Sequence, residues 1–108
     1  MEDKYLEIFN HFGVKNQMKK LNEESYELIE AVLNMEEQKQ LAKVSENERY
    51  KLPKYKEELV GEVADVLALV EQIIQYFEIE EDELEDAKFI KLVRTLKRIQ
   101  TGYYEEEK

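Results

Sequence analysis

The chain has 108 residues, the length of one domain, and its few Gly and Pro residues with many Glu, Lys and Leu residues favour helices. It has no Cys, which excludes disulfides, thiolate zinc sites and cysteine nucleophiles. A formal charge of −10 argues against a nucleic-acid-binding surface, because duplex binding depends on Lys and Arg that neutralise phosphates. A phosphorylated small molecule stays compatible with this charge if metal cations or a local basic patch let it approach.

The first two predicted helices follow from apolar spacing. The first covers about residues 2–12 and ends at Gly13, and the second runs from about residue 14 to residue 35 or a little beyond. A polar and highly charged connection, residues 36–52, follows. Its composition leaves open whether it is a helical extension with a hinge or a mobile loop.

The third predicted helix begins near Pro53, a residue favoured in a first helical turn, and continues to about residue 77. The fourth spans roughly residues 81–101, with Gly102 as its stop. We expect the acidic tail, residues 103–108, to be disordered. The sequence therefore predicts an all-α, four-helix bundle-like architecture.

The start of the chain, MEDKYLEIF, lacks the basic and apolar segments of a secretory signal. The longest unbroken apolar run, residues 66–70, is too short to cross a bilayer. We therefore expect a soluble, cytoplasmic protein with no membrane span.

Four carboxylates lie within nine residues of the second helix, in the stretch NEESYELIE. At about 100° per residue, the apolar arc of this helix is centred on Leu21, Leu28, Val32 and Met35. Glu24 falls inside that arc and Glu27 lies at its edge, whereas Glu23 and Glu30 project towards solvent. Two of the four acids are therefore predicted to face the interior.

The third helix repeats this arrangement. Its apolar arc is centred on Leu59, Val63, Val66, Val70, Ile73 and Phe77. Glu62 falls within the arc and Asp65 at its edge, with Glu58 beside them. Each helix thus carries an inner acid followed three residues later by an acid at the rim, and residues at this spacing are neighbours on a helix surface.

Converging carboxylates need compensation, because removing one from water costs several kcal/mol and like charges repel. Basic partners or divalent metal ions can supply it. Oxygen ligands suit Mg²⁺ or Mn²⁺, and four negative charges match two divalent ions. From spacing alone the alternative stays open that these acids are solvated or paired with Lys, since E-x-x-E is common in acidic helices.

The two motifs, E-E-x-x-E at Glu23–Glu27 and E-x-x-D at Glu62–Asp65, resemble those of the MazG-like all-α nucleoside triphosphate pyrophosphohydrolases. This family is related to the dimeric dUTPases and the dCTP pyrophosphatases. The resemblance covers about residues 14–37 and 54–77, and more loosely the last helix. The 34 residues between the two motifs exceed the usual family spacing, which leaves substrate preference open.

The resemblance implies a single MazG-like domain over residues 1–108 in which Glu24, Glu27, Glu62 and Asp65 form the catalytic metal site. They would hold Mg²⁺, with Mn²⁺ as an alternative, and activate a water for attack near the α-phosphate of a nucleoside triphosphate. The products would be a nucleoside monophosphate and pyrophosphate. Positioning and charge stabilisation account for most of such catalysis.

A basic stripe lies on the fourth helix, where Lys91, Arg94 and Arg98 share one face. It is either a solvated surface or a set of cations for triphosphate oxygens, including across a subunit boundary, as for C-terminal basic residues in similar enzymes. Gln17 and Tyr76 are the candidates for binding the base, because an amide reads a base edge and an aromatic ring stacks on it.

His11 is the only histidine, which excludes histidine-rich metal sites and a diiron bundle with two E-x-x-H motifs. Its expected role is that of a surface or partly buried residue near the end of the first helix, with lining of a base pocket beside Phe12 as the alternative. Gly occurs only at positions 13, 61 and 102, which excludes a P-loop and a dinucleotide-binding fingerprint.

Apolar residues of the third helix beyond its central arc, namely Leu67, Leu69 and Ile74, predict a homodimer or homotetramer. The expected function is Mg²⁺-dependent hydrolysis of nucleoside triphosphates in house-cleaning or nucleotide-pool control. The alternative is a non-catalytic helical interaction module whose acidic faces are solvated.

Overall fold

The computed structural model describes residues 2–102, and this part of the chain is helical with no strand. Four α-helices and one short 3₁₀ helix between the second and third of them follow one another: α1 (Glu2–Phe12), α2 (Val14–Val44), the 3₁₀ helix (Glu46–Lys51), α3 (Leu52–Tyr76) and α4 (Glu81–Gln100). The prediction of an all-α fold is confirmed. The acidic tail, residues 103–108, lies outside the described residues.

The chain forms two compact units, Met1–Tyr76 and Phe77–Lys108. The first contains α1, α2, the 3₁₀ helix and α3, and the second contains α4. The expectation of one MazG-like domain over residues 1–108 stays a prediction. Within residues 2–102, every helix is too short or too polar to span a lipid bilayer.

Gly13 separates α1 from α2, as the sequence predicts. Its φ of 86° lies in a region that only glycine adopts without strain. The Gly13 N–H donates to the Phe9 carbonyl at 2.9 Å, and the Gly13 carbonyl accepts from the Gln17 N–H at 3.0 Å. One residue thus ends α1 and starts α2 with its backbone groups paired.

The polar connection after α2 is a helical extension rather than a loop, since α2 continues to Val44 and the 3₁₀ helix follows. Gln38 is only 4 % exposed, and its Nε2 donates to the Glu48 carbonyl at 2.9 Å and to Glu48 Oε2 at 3.0 Å. Arg49 Nε donates to the Ala42 carbonyl at 3.2 Å, and Lys51 Nζ lies 2.9 Å from Glu48 Oε2. We call this group, Gln38, Glu48, Arg49 and Lys51, the α2 corner.

Helices α2 and α3 pack against each other and run antiparallel. Gln17 of α2 contacts Gln72 of α3, and Glu24 of α2 lies beside Asp65 of α3. Gln17 is seven residues before Glu24, whereas Gln72 is seven residues after Asp65. The two contacts therefore belong to one register, two helical turns apart.

Helix α3 also packs against α1, so two of its sides are covered within the first unit. The Phe9 side chain is fully buried, and its ring centroid lies 4.7 Å from that of Tyr76. The prediction that Leu69 belongs to an exposed apolar surplus is wrong, because this residue is only 4 % exposed on a helix that packs against both α1 and α2. Leu67 is 57 % exposed, as expected, and Ile74 is half-buried.

Helix α4 starts at Glu81, the predicted position, and has a capping box at its N-terminus. The Glu80 side chain accepts from the N–H of Glu83, and Glu83 Oε1 accepts from the Glu80 N–H at 2.9 Å. Acidic residues fill its first turn and basic residues its last, which suits the helix dipole.

Candidate metal centre

Glu24 is the most buried acid of the predicted site, at 6 % exposure. Its Oε1 forms an ion pair of 3.0 Å with Lys20 Nζ, one turn earlier on α2. The hydrogen bond from Lys20 lowers the pKa of Glu24 despite the opposing effect of burial, so this carboxylate is ionised at neutral pH. Its Oε2 is buried and has no hydrogen-bond partner among the described residues.

Glu62 is half-buried on α3, and its Oε2 is likewise buried without a hydrogen-bond partner in the described part of the chain. Desolvation raises the pKa of Glu62, and the charges of Glu27, Glu24 and Asp65 raise it further. The fold therefore holds a carboxylate where its ionised form is disfavoured unless a cation joins it.

Asp65 lies one turn after Glu62 and is exposed. Glu24, Glu62 and Asp65 each offer one oxygen, and these three oxygens lie within 4.8 Å of one another. Ligand oxygens lie about 2.1 Å from a Mg²⁺ ion, so the three oxygens would have to move closer together to bind one ion. Ionised carboxylates can only accept hydrogen bonds, so two of these acids pair with each other only where one holds a proton, and Glu62 is the acid whose pKa is raised.

The prediction that Glu27, the fourth acid, faces the interior is wrong, because its side chain is exposed and lies outside this group of three. Glu27 lies one turn after Glu24 on α2, and its charge raises the pKa of Glu62. The structure thus brings all four predicted acids, Glu24, Glu27, Glu62 and Asp65, to one place, and we call them the acid cluster. Glu23 and Glu30 are exposed, as the helix projection predicts.

A cavity of about 730 Å³ opens beside the acid cluster between α1, α2 and α3. Its volume is in the range of small-molecule sites. Its lining consists of Ile8, Phe12, Asn16, Gln17, Lys19, Lys20, Glu23, Glu24, Asp65, Ala68, Leu69 and Gln72. Carboxylates, cations, amides and apolar groups thus meet in one concave site.

The two residues predicted to bind a base have different positions. Gln17 is 6 % exposed, lines the cavity and donates from Nε2 to Gln72 Oε1 at 2.7 Å. Tyr76 packs on Phe9 and is not part of the cavity lining. His11 is an exposed residue with an edge-to-face contact to Phe12, whose ring does line the cavity.

The predicted basic stripe of Lys91, Arg94 and Arg98 lies on α4, in the second unit. All three side chains are exposed. Their contact with a triphosphate stays a prediction.

Sequence reasoning missed Lys19, Lys20 and Gln72 as residues of the site. Lys20 had a detectable signal, because it precedes Glu24 by four residues, the spacing of ion pairs along a helix. Gln72 had a weaker one, since it follows Asp65 by the same seven residues that separate Gln17 from Glu24. These two equal spacings place Gln17 near Gln72 only if α2 and α3 run antiparallel, which the sequence does not show.

Comparison of the chain with protein-family models, with curated proteins and with solved structures gives no match. The site is therefore defined by its own residues. Buried carboxylate oxygens without partners and a donor set of oxygens alone fit a hard divalent cation better than a soft metal. The acid cluster could hold such an ion.

Proposed function

We propose that this chain is a MazG-like, Mg²⁺-dependent nucleoside triphosphate pyrophosphohydrolase. The observation that carries the proposal is the pair of buried oxygens, Glu24 Oε2 and Glu62 Oε2, which have no hydrogen-bond partner among the described residues and belong to converging acids. A protein leaves buried polar atoms unpaired at a considerable cost in stability. A divalent cation between them would remove that cost.

Glu24, Glu62 and Asp65 would hold Mg²⁺, or Mn²⁺ in its place. The ion would neutralise phosphate charge and lower the pKa of an attacking water. The cavity beside the cluster would receive the nucleotide, and the acids would set the position of its α-phosphate by way of the ion. Without the ion, the cluster would repel a triphosphate by its charge alone.

Glu27 is the acid that lies outside the group of three yet next to Glu62, so it would take the proton of the attacking water. The water oxygen would bond to the α-phosphorus as the bond from that phosphorus to the bridging oxygen breaks. Pyrophosphate would leave, the nucleoside monophosphate would remain, and the proton on Glu27 would return to solvent. Such chemistry suits house-cleaning or nucleotide-pool control in the cytoplasm.

We also propose that the protein is a homodimer or homotetramer. In the first unit, Val60 and Leu67 of α3 are 58 % and 57 % exposed, and on α2 Leu33 is 63 % exposed. In the second unit, Phe89, Leu92 and Ile99 of α4 are all more than half exposed. Association would remove such apolar surface from water. Light scattering that gives a stable species at the monomer mass of 13.0 kDa would contradict this proposal.

The proposed reaction is tested by phosphorus NMR of a mixed pool of deoxynucleoside triphosphates incubated with the protein and Mg²⁺. We expect pyrophosphate and monophosphates as first products and no turnover after chelation. Orthophosphate as the first product, or turnover that survives chelation, contradicts the mechanism. The matched control is Glu30→Gln, which changes an exposed acid of the same helix outside the cluster.

A metal titration separates this proposal from the alternative of a non-catalytic interaction module. Binding of Mg²⁺ or Mn²⁺ to the folded state raises the melting temperature as the ion concentration exceeds its dissociation constant. The enzyme should show this rise, and Glu24→Gln should abolish it. A protein that does not respond to millimolar Mg²⁺ or Mn²⁺ would favour the module.

A further inference from the structure

The cavity contains a second polar feature besides the acid cluster, the amide pair of Gln17 and Gln72. The two side chains are 6 % and 5 % exposed, come from different helices and share a hydrogen bond of 2.7 Å. Both line the cavity. Two apolar side chains would close this space without removing two amides from water, so packing alone does not explain the pair.

The hydrogen bond uses only part of what each amide offers. The remaining atoms, Gln17 Oε1 and Gln72 Nε2, are paired with no protein group in the described part of the chain. They are an acceptor and a donor on neighbouring side chains. The cavity wall at this point therefore offers one acceptor and one donor side by side.

The distance from this pair to the acid cluster follows from the register of α2 and α3. Gln17 precedes Glu24 by seven residues and Gln72 follows Asp65 by seven. Seven residues are nearly two turns, so the amides lie on the same face as the acids and about 10 Å away along the helices. This is the span that a sugar and one base ring fill between a phosphate group and the far edge of the base.

We propose that the Gln17–Gln72 pair holds the hydrogen-bonding edge of a nucleobase while the acid cluster, with its metal, holds the phosphates. This inference rests on the proposed function, and it names the ligand class as a nucleotide whose base has a donor and an acceptor next to each other. The apolar wall of Phe12 and Leu69 covers the same cavity. A flat base would bury its faces there.

The pair also sets the range of bases. The two ends of a carboxamide have nearly the same shape, so the bond can form with Gln72 as donor and Gln17 as acceptor instead. Gln17 then has the free donor, and Gln72 has the free acceptor. Each common base has at least one adjacent donor and acceptor on its pairing edge, so an invertible pair accepts pyrimidines and purines alike.

The main test measures equilibrium binding by calorimetry in Mg²⁺. The probes are deoxynucleoside triphosphates with an imido bridge between the α- and β-phosphates, which resist hydrolysis there, and inorganic tripolyphosphate, which has no base. The variant is Gln17→Met/Gln72→Met, because removing both partners of a bond with unbranched apolar side chains preserves the fold best. Gln38→Met is the matched control, since it removes a buried amide of α2 outside the cavity.

We expect the double variant to bind the nucleotides at least about tenfold more weakly and tripolyphosphate as well as the wild type. Gln38→Met should bind both probes normally. Unchanged nucleotide affinity in the double variant, with tripolyphosphate still bound, overturns the role of the amide pair and leaves the proposed function standing. A wild-type protein that binds neither probe overturns both.

A single variant tests the invertible order. In Gln72→Glu the carboxylate only accepts hydrogen bonds, so the site would offer two acceptors next to each other. Guanine has two adjacent donors, whereas uracil has a lone donor between two acceptors. The affinity ratio of guanine to uracil nucleotides should rise about tenfold, and the added negative charge cancels in this ratio. An unchanged ratio contradicts contact between Gln72 and the base.

Discussion

The α2 corner and the acid cluster each join polar residues of α2 to a neighbouring helix, but they differ in how their buried polar atoms are paired. In the corner, the buried amide of Gln38 donates to two oxygens of Glu48, and Lys51 pairs with the Glu48 carboxylate. In the cluster, one oxygen each of Glu24 and Glu62 stays unpaired among the described residues. A polar group paired inside the chain contributes to stability, whereas a buried one left unpaired costs stability until water or a ligand pairs with it.

The largest effect should come from removing the charge of a cluster acid. Under the proposed function, Glu24→Gln or Glu62→Gln should reduce kcat/KM for pyrophosphate release by about 10³-fold or more, because the proposed metal ion would lose a charged ligand. Glu48→Gln in the α2 corner should leave activity nearly intact. Helical circular dichroism would show that each variant is folded. Equal losses for the corner and cluster variants would remove the distinction between them.

The next largest effect should be a loss of folding stability when the α2 corner is changed. Gln38→Met leaves the Glu48 carbonyl without its donor, so the free energy of unfolding should fall by about 1–3 kcal/mol. Gln17→Met/Gln72→Met should cost much less, because both partners of that bond disappear together. Urea unfolding of the metal-free proteins would compare the two. A larger cost for the double variant would mean that the cavity amides are the structural ones.

The contributions of the two regions to folding stability should also change in opposite directions with pH in the metal-free protein. Hydrogen bonds from Gln38 and Lys51 lower the pKa of Glu48, so its contribution to stability is present above the ordinary carboxyl pKa and is lost as pH falls through the lowered value. Desolvation and neighbouring acids raise the pKa of Glu62, so its folded state binds the proton more tightly. Its contribution is present at low pH and is lost as pH rises through the raised value.

Urea unfolding between about pH 4 and pH 7 would measure this difference with Glu48→Gln and Glu62→Gln as references. The stability of the wild type relative to Glu62→Gln should fall as pH rises, and relative to Glu48→Gln it should fall as pH drops. Saturating Mg²⁺ should reverse only the first trend, because a cation favours the ionised form of Glu62. A Glu62 trend that Mg²⁺ leaves unchanged would argue against the metal site.

The smallest effect should come from the partly exposed ion pair of the corner. Lys51→Met removes a contact of 2.9 Å to Glu48, yet solvent screens it, so the expected loss is only about 0.2–1 kcal/mol. The loss should shrink further at high salt. A loss as large as that of Gln38→Met would show that the corner depends on charge rather than on the buried amide.

Helix periodicity predicts the burial of Glu24 and the exposure of Glu23 and Glu30 correctly, places Glu27 wrongly, and does not predict the corner. Glu24 is buried because it shares a face with Leu21 and Leu28, and that face can be counted from the sequence. Counting apolar positions does not predict the extension of α2, because the buried residues there are Gln38 and Ala42 rather than large apolar residues. Their burial depends on hydrogen bonds to the 3₁₀ helix, which no periodic pattern shows.

The amide pair marks another limit of prediction from the sequence. Gln17 and Gln72 are separated by 55 positions, and only the packing of α2 on α3 brings them together. Each residue alone looks like an ordinary polar position of a helix. The burial of Leu69 is not predicted for a related reason. A projection of α3 alone does not show that a neighbouring helix covers a second side of α3.

The ion pair between Lys20 and Glu24 makes the site observable by covalent labelling. An ammonium group held 3.0 Å from a buried carboxylate oxygen reacts slowly with acylating reagents, because the reactive form is the free amine. A divalent ion bound at the unpaired Glu24 Oε2 would add positive charge beside this ammonium group and favour its free amine. Acylation of Lys20, followed by mass spectrometry with the neighbouring Lys19 as internal standard, should therefore accelerate as the cluster fills.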